Sequence, residues 1–401
     1  MRILWVNPNF LHPTTKGGQI RTLGILRELH REHEIHYVAF QEPGNTEGLA
    51  NASLYSSFHY PVPSQVASKS SPRFYLELIR GLADPMPVAI RRFDSPALRH
   101  TVANLCRKHS FDVLVADFLA SVPAFTDLSR AVLFQHNVEG DIWRRRAEQA
   151  TSLPQRLYLE SQYRRMASYE QQACRTARKV IAVSELDARS MQKLYGVSGV
   201  GWTDTGVDVD YFTPAGKPSP VGAPGELVFV GSMDWMPNVD GMLWFTRHVW
   251  PLITAARPGT TLAVVGRKPP PEIQALAADP AIHVSGTVPD VRPWLWQSRL
   301  SIVPLRIGGG TRLKIYEAMA ARVPVVSTAI GAEGLAGEAG RDILIADNPE
   351  AFAAACLRLL HDQAVRDSVA QSAWSMVDGR FRWLQVARDF ARLLEEGKIS
   401  G

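Results

Sequence analysis

A chain of 401 residues is too long for one ordinary hydrophobic core and predicts two or three domains. With 46% hydrophobic and 21% charged residues the composition excludes extended disorder, and the net charge of +5, with basic residues not interleaved with aromatics, predicts no nucleic-acid partner. Three scattered cysteines, Cys106, Cys174 and Cys356, exclude a disulfide framework or a Cys-x-x-Cys zinc site. The start, MRILWVNPN, reads as a first strand rather than a signal peptide, and no apolar run is long enough to span a bilayer, so a cytosolic location is expected.

In chain order, residues 2–6 predict a buried strand, residues 7–16 a polar loop, and Gly17 and Gly18 the opening of an amphipathic helix to about Arg31. A strand at 34–40 follows, so the chain begins with a β-α-β unit and a parallel sheet. A third strand is expected at 58–62, and residues 72–108 read as two helices interrupted by the prolines of LADPMP. The short apolar runs DVLVA (112–116), AVLFQ (131–135) and KVIAV (179–183) predict inner strands, with a helical region at 138–178 broken near Leu153 and Pro154. Ser184 is placed to cap the next helix. The first domain closes near residue 200.

The segment TDTGVDVDYFTPAGKPSPVGAPG is the best linker candidate. After it the alternation restarts, with strands at 226–230, 261–265, 282–285, 301–304, 323–327 and 342–345, helices at 238–250, 271–278 and 291–296, and helices to the end. The expected class is α/β, with two parallel-sheet lobes enclosing a cleft where such folds bind ligands.

The stretch SIVPLRIGGGTRLKIYEAMAARVPVVST, 301–328, carries the chemistry. Gly308, Gly309 and Gly310 leave backbone N–H groups uncovered beside a helix N-terminus, which favours an anion. Thr311 is placed to cap the helix, Arg312 and Lys314 fall in its first turn, and Glu317 lies roughly 7 Å further along the axis. A diphosphate at the tip and a ribose at the carboxylate fit that spacing, and cations at this helix end call for an anion. Gly17 and Gly18 form a second glycine loop that could close on the same diphosphate. A G-x-G-x-x-G turn does not follow the first strand and no G-x-x-x-x-G-K-[ST] occurs, so hydride-transfer Rossmann enzymes and P-loop NTPases are disfavoured. His136 ends a predicted strand and so faces the cleft, as does Asp117 at the end of DVLVA. Asp208 and Asp210 match an Asp-x-Asp metal pattern but lie in the crossover. His30, His33 and His36 straddle a helix end and a strand, and are read as solvated rather than as a metal cluster.

GGGTRLKIYEAMA with PVVST, VGSMDWMPN and GTVPDVRPWL resembles the C-terminal half of the retaining, glycogen-synthase-like glycosyltransferases, glycosyltransferase family four, also called group 1. KGGQIRT, FQHNVEG and AVSELD with TGVDVDYF resemble that family's N-terminal half and crossover. The likeness covers nearly the whole chain and is weakest over 42–108. It implies the GT-B fold, with residues 1–205 an N-terminal acceptor-side Rossmann-like domain joined by a C-terminal helix at about 380–401. Residues 206–225 are then a linker, and 226–379 the nucleotide-sugar-binding domain.

The same resemblance implies a glycosyltransferase that moves a sugar, with retention, from a nucleotide diphosphate-sugar, UDP- or GDP-linked, to a glycan, lipid-linked or small-molecule acceptor. It implies no tightly bound cofactor or metal. Arg312 and Lys314 would bind the diphosphate and stabilise the leaving nucleotide, Glu317 would accept the ribose hydroxyls, and backbone near Val288 would hold the nucleobase edge. Gly17, Gly18, Ser184, Gly308, Gly309, Gly310 and Thr311 would complete the donor site, with His136 on the transferring sugar or a phosphate oxygen and Asp117, Asn137 and Glu139 toward the acceptor. Two departures stand out. The family usually has two glutamates seven residues apart, and the first position here is Gly309; and the loop 231–238 lacks the usual Arg and Lys, which leaves Arg312 and Lys314 alone on the phosphates. The arginine pairs and triplets at 91–92, 144–146 and 164–165 are either solvated helix faces or a peripheral contact with a membrane at its cytoplasmic face. A same-fold nucleotide-sugar epimerase and a non-catalytic binder are the alternative readings.

Overall fold

The computed structural model describes residues 1–14, 16–64, 81, 84–150, 152–214, 225–307 and 312–399. The predicted helix starting at residue 72, the glycines 308–310 and Thr311 lie wholly or largely outside the described residues.

The chain forms two compact units. The first comprises residues 1–205 and 383–401, the second residues 206–382. Unit 1 is built on seven parallel strands: β1 (Arg2–Asn7), β2 (Glu34–Gln41), β3 (Phe58–Pro63), β4 (Val113–Asp117), β5 (Ala131–Gln135), β6 (Lys179–Ala182) and β7 (Gly201–Trp202). Their spatial order is β3-β2-β1-β4-β5-β6-β7. Strand β1 shows why the sheet forms: Ile3 and Trp5 point to one face, Leu4 and Val6 to the other, and all four are buried. Both faces are covered by helices, so strands read as unbroken apolar runs rather than alternating ones. On the Trp5 face lie the Gly17–Leu29 helix, with Ile25 and Leu26, and the last helix, Trp383–Glu396, with Val386, Phe390 and Leu394. The other face carries the Pro96–Lys108 and Leu153–Thr176 helices.

Unit 2 has six parallel strands: β8 (Leu227–Val230), β9 (Leu262–Val265), β10 (Ile282–Gly286), β11 (Leu300–Val303), β12 (Val325–Ser327) and β13 (Leu344–Ile345), in the order β10-β9-β8-β11-β12-β13. Again successive residues alternate: Leu227 and Phe229 join one layer, Val228 the opposite one. Two expected strands are shorter than predicted by two residues each. Val323 is buried but outside β12, because Pro324 has no N–H for the ladder, and β13 starts at Leu344. The helix expected at 238–250 instead starts at Met236, with Pro237 in its first turn, and passes through a π-helical turn, Phe245–Val249, into Trp250–Ala256. A wider turn here accommodates Pro251, which cannot donate to the preceding turn.

Asp208 and Asp210 are engaged structurally within unit 2. Asp208 caps a short helix by accepting from the Tyr211 N–H, and Asp210 takes a bidentate bond from Arg382 at 2.7 and 3.0 Å. The reading of His36 as solvated is corrected: it is buried, its Nε2 2.8 Å from Glu34 and its Nδ1 2.9 Å from the Tyr60 hydroxyl, because β2 and β3 bring those side chains onto one face.

Candidate active site

In each sheet the strand order reverses once, between β1 and β4 in unit 1 and between β8 and β11 in unit 2. Loops leaving such a pair of strands diverge and leave a crevice at their C-terminal ends. Asp117, Lys314 and Glu317 lie on or just after strands of these two pairs, whereas Val288 follows the edge strand β10 and Ser184 follows β6.

In unit 2, Arg312 is the N-cap of the Leu313–Ala320 helix that follows β11, and Lys314 and Glu317 lie on that helix. Lys314 Nζ donates to Asn238 Oδ1 at 2.8 Å, and Asn238 Nδ2 donates to the Ser232 carbonyl at 2.7 Å. Asn238 belongs to the helix after β8, so Lys314 bridges the two sides of the switch point. The fit is close: a Cβ on Gly231 would lie 2.6 Å from Lys314 Nζ. The Arg312 guanidinium lies over the Trp235 ring, 5.0 Å from its centroid.

Lys314 and Glu317 are deep in unit 2 yet keep partial solvent access. Burial pulls the Lys314 ammonium down to about 7, Arg312 adding to this and Glu317 opposing it. Burial pushes the Glu317 carboxyl up to about 7, against the pull of Lys314. Among the described residues the Glu317 carboxylate accepts no hydrogen bond. Val288 lies in the loop after β10, half-buried, and its backbone N–H and C=O have no hydrogen-bond partner among the described residues.

The loop 231–238 holds no Arg or Lys of its own, but a cation reaches it from elsewhere in the sheet. Arg267, after β9, reaches that loop and donates from Nε to Ser232 Oγ at 2.7 Å. Neither Arg267 nor Asn238 was singled out by sequence. The contact comes from strand order, β9 lying beside β8, and no local pattern encodes it.

In unit 1 the structure brings together Gly18, Asp117 and His136, with Arg21 and Phe118 added, while Gly17 opens the helix in an exposed position. His136 is buried; its Nε2 is 2.7 Å from Asp117 Oδ1 and its Nδ1 3.1 Å from Arg21 Nη1. A guanidinium can only donate, so Nδ1 is the acceptor and Nε2 carries the proton. The imidazole is held neutral, and burial lowers its pKa further than the Asp117 carboxylate raises it. Arg21, itself buried and pulled down to about 10 by desolvation, also donates from Nε to Thr205 Oγ1 at 2.8 Å.

Two expected roles change. Asp117 is not an acceptor contact: it is fully buried and its oxygens take bonds from Trp5 Nε1, Asn7 Nδ2, Thr22 Oγ1 and His136. The ring of His136 likewise has both nitrogens engaged. Ser184 caps the Glu185–Tyr195 helix, its Oγ accepting from the Asp187 N–H at 3.1 Å and donating to Asp187 Oδ2 at 2.6 Å. Asn137 donates to Glu139 at 3.4 Å. Glu139, half-buried and with its pKa raised by desolvation, begins the helix whose first N–H groups are held by Glu170. That buried carboxylate, unnoticed in the sequence, takes bonds from the Glu139 and Gly140 N–H groups, Gln135 Nε2 and the Tyr195 hydroxyl.

Phe118, first residue after β4, has φ 69° and ψ 150°, a region otherwise used by glycine, at a cost on the order of 1–3 kcal/mol. Its N–H donates to the Phe134 carbonyl and its own carbonyl accepts from the Ser121 N–H, which hold the backbone there. The ring stacks on His136, centroids 3.7 Å apart at 13°. Gly18 is required by this ring: a Cβ would lie 2.6 Å from Phe118 Cζ.

Two all-parallel Rossmann-like units, each with its polar cluster at a switch point, define the GT-B class of fold. The match to known proteins agrees. Residues 15–211 match the family model described as Glycosyltransferase Family 4, and residues 224–362 that described as Glycosyl transferases group 1. The chain belongs to the group 1 glycosyltransferases. Sucrose-phosphate synthase from Thermosynechococcus elongatus is similar in structure, with TM-score 0.71 and 15% identity over 98% of each chain. So is HepE from Anabaena in complex with UDP, with TM-score 0.68 and 15% identity over 98% of this chain and 99% of that one. WaaG, a glycosyltransferase involved in lipopolysaccharide biosynthesis, has TM-score 0.64 and 17% identity over 98% and 99%. An uncharacterized 44.6 kDa protein in the cps region of Klebsiella pneumoniae is 23% identical over 163 residues, 39% of this chain and 42% of that protein's length.

Proposed function

We propose that this chain transfers a sugar, with retention at the anomeric carbon, from a nucleotide diphosphate-sugar to a glycan, lipid-linked or small-molecule acceptor. The observation that carries this reading is the trio Lys314, Asn238 and Glu317 at the β8/β11 switch point. An ammonium aimed by a neutral amide sits one turn from a carboxylate that has no partner of its own among the described residues. The ammonium suits a diphosphate; the carboxylate suits the paired hydroxyls of a ribose.

A bound diphosphate raises the Lys314 pKa and holds the ammonium charged, so positive charge is present where negative charge grows as the glycosidic bond to phosphate breaks. Arg312 adds a second cation at the same helix end, with Arg267 close to the facing loop. Gly308, Gly309, Gly310 and Thr311 complete the phosphate loop in this reading, and Val288 meets the base. Gly17 and Gly18 serve the sugar side, beside a His136 ring whose two nitrogens are taken by Asp117 and Arg21, with Asn137 and Glu139 next to the acceptor and Asp117 acting as a positioning residue for His136. UDP is the favoured nucleotide, because the similar HepE was solved with UDP and with UDP-glucose. An epimerase is disfavoured because it needs a free base and acid beside the sugar, whereas both nitrogens of His136 are occupied.

Peripheral membrane contact through unit 1 is disfavoured. Arg144 and Arg145 pair with Asp141 and Glu148, and Arg164 with Glu160, which lowers the local positive field. Among the described residues no helix is long and apolar enough to cross a membrane.

The test is to incubate the protein with UDP-, GDP- and ADP-sugars and measure nucleoside diphosphate release, with the anomeric configuration of product read by NMR. Release from one donor class, abolished by Lys314→Ala, is expected. No donor binding, with nucleotide affinity unchanged in Glu317→Ala, would show the reading to be wrong.

A further inference from the structure

Phe118 takes no part in the proposed sugar transfer, yet its backbone is held in a conformation that costs the protein stability. We propose that Phe118 is a carbohydrate-binding residue: its ring is a platform for the C–H face of a pyranose in the acceptor. The proposal rests on the sugar-transfer reading above.

Several observations converge on it. Residue 118 leaves β4 at the β1/β4 switch point, the place in this sheet where a crevice opens. A non-glycine residue with φ 69° and ψ 150° is retained only where surroundings over-determine it, and here bonds to Phe134 and Ser121 do so. The conformation turns the ring flat against His136.

His136 cannot rotate, because Asp117 holds one nitrogen and Arg21 the other. A stack of this kind fixes the plane of the phenyl ring, and residue 118 as a whole stays partly exposed. Gly18 lies at the ring edge, and the N–H groups of Gly17 and Gly18 have no acceptor among the described residues. A rigid apolar plane bordered by backbone donors matches a pyranose, whose C–H face is apolar and whose rim carries hydroxyls.

The experiment uses the full chain and three probes: the methyl glycosides of glucose, galactose and mannose. Saturation-transfer NMR should show saturation of ring C–H protons of at least one glycoside with the wild type and with Phe118→Tyr, reduced about fivefold in Phe118→Leu. Selective Phe labelling of the wild type supplies a measurement independent of any variant: contacts should appear between the Phe118 ring protons and the glycoside. Equal saturation in folded Phe118→Leu, absence of those ring contacts, or no glycoside bound by the wild type would overturn the proposal. The two readings fail separately. Nucleoside diphosphate release without Phe118 contacts removes only the platform; glycoside contacts without release from any donor remove the transferase.

Discussion

Lys314 Nζ donates to Asn238 Oδ1 at 2.8 Å, from a helix that follows β11 to one that follows β8. The acceptor is neutral. Lys314 is therefore oriented without its charge being cancelled, and burial leaves it titrating at about 7. Only the protonated form attracts a diphosphate, so UDP affinity is expected to fall as pH rises from 6.5 to 8.5, with proton uptake on binding at the upper end. Asn238→Asp places a carboxylate at the same distance, raising the Lys314 pKa and neutralising its field. UDP binding should weaken about tenfold, in the range of one charge-assisted hydrogen bond, and the fall with pH should move upward. Isothermal titration calorimetry across pH, in buffers of different ionisation enthalpy, reads both effects.

Glu317 accepts no hydrogen bond among the described residues, so its replacement should cost the unliganded protein little. In the free protein the carboxyl pKa is raised to about 7 from an ordinary 4.5. The folded state thus holds more protons than the unfolded one in that window, and this group's contribution to stability, full below about 4.5, is lost as pH rises through 7. Glu317→Gln should flatten that part of the pH–stability curve. If the carboxylate serves a ribose, the same variant should bind UDP about 10- to 100-fold more weakly and lose most of the preference for UDP over its 2′-deoxy analogue, measured by competition binding.

At residue 118 the ordinary order of glycine and alanine should reverse. Alanine keeps a Cβ in a region tolerated almost only by glycine, whereas Phe118→Gly removes the strain. Both variants lose the stack on His136, so their difference isolates the backbone. Phe118→Gly is expected to be more stable than Phe118→Ala by about 1 kcal/mol in urea denaturation.

Glu170 closes the N-terminus of the Glu139–Glu148 helix from the neighbouring Leu153–Thr176 helix. Glu170→Ala leaves the two N–H groups and the Tyr195 hydroxyl without an acceptor, a loss on the order of 3 kcal/mol by equilibrium unfolding. Its carboxyl, pushed up to about 7 by burial, also makes stability decline between about pH 4.5 and 7. Glu170→Gln should remove that slope while restoring only part of the bonding.

His136 should remain a neutral, Nε2-protonated imidazole at pH 6.5, seen in its 15N shifts. Its lowered pKa makes its stability contribution full above the ordinary 6.5 and lost as pH falls through the depressed value. Arg21→Gln removes the cation facing Nδ1 and should raise the His136 pKa, a shift that a purely structural change elsewhere would not produce.

Much of the fold is written locally. Unbroken apolar runs such as DVLVA and AVLFQ became inner parallel strands because helices cover both faces, and the alternation of these runs with amphipathic stretches fixed the class. KGGQIRT and GGGTRLKIYEAMA were legible as helix openings because glycine, capping and charge act within a turn. Boundaries were less legible at Pro237, Pro251 and Pro324, where a missing N–H shifts the start or pitch of an element.

The sequence alone determined two parallel-sheet units and the helix that carries Lys314 and Glu317, since periodicity and first-turn chemistry are short-range properties of the chain. Only the tertiary structure decided which side chains meet. Asn238 and Arg267 reach the Lys314 side of the site because β8 lies between β9 and β11. Asp117 and Arg21 occupy both nitrogens of His136 because β4 and β5 are neighbours and the Gly17–Leu29 helix lies over one face of their sheet. Hydrogen bonds across strands depend on sheet order, a long-range choice that no spacing within the chain records.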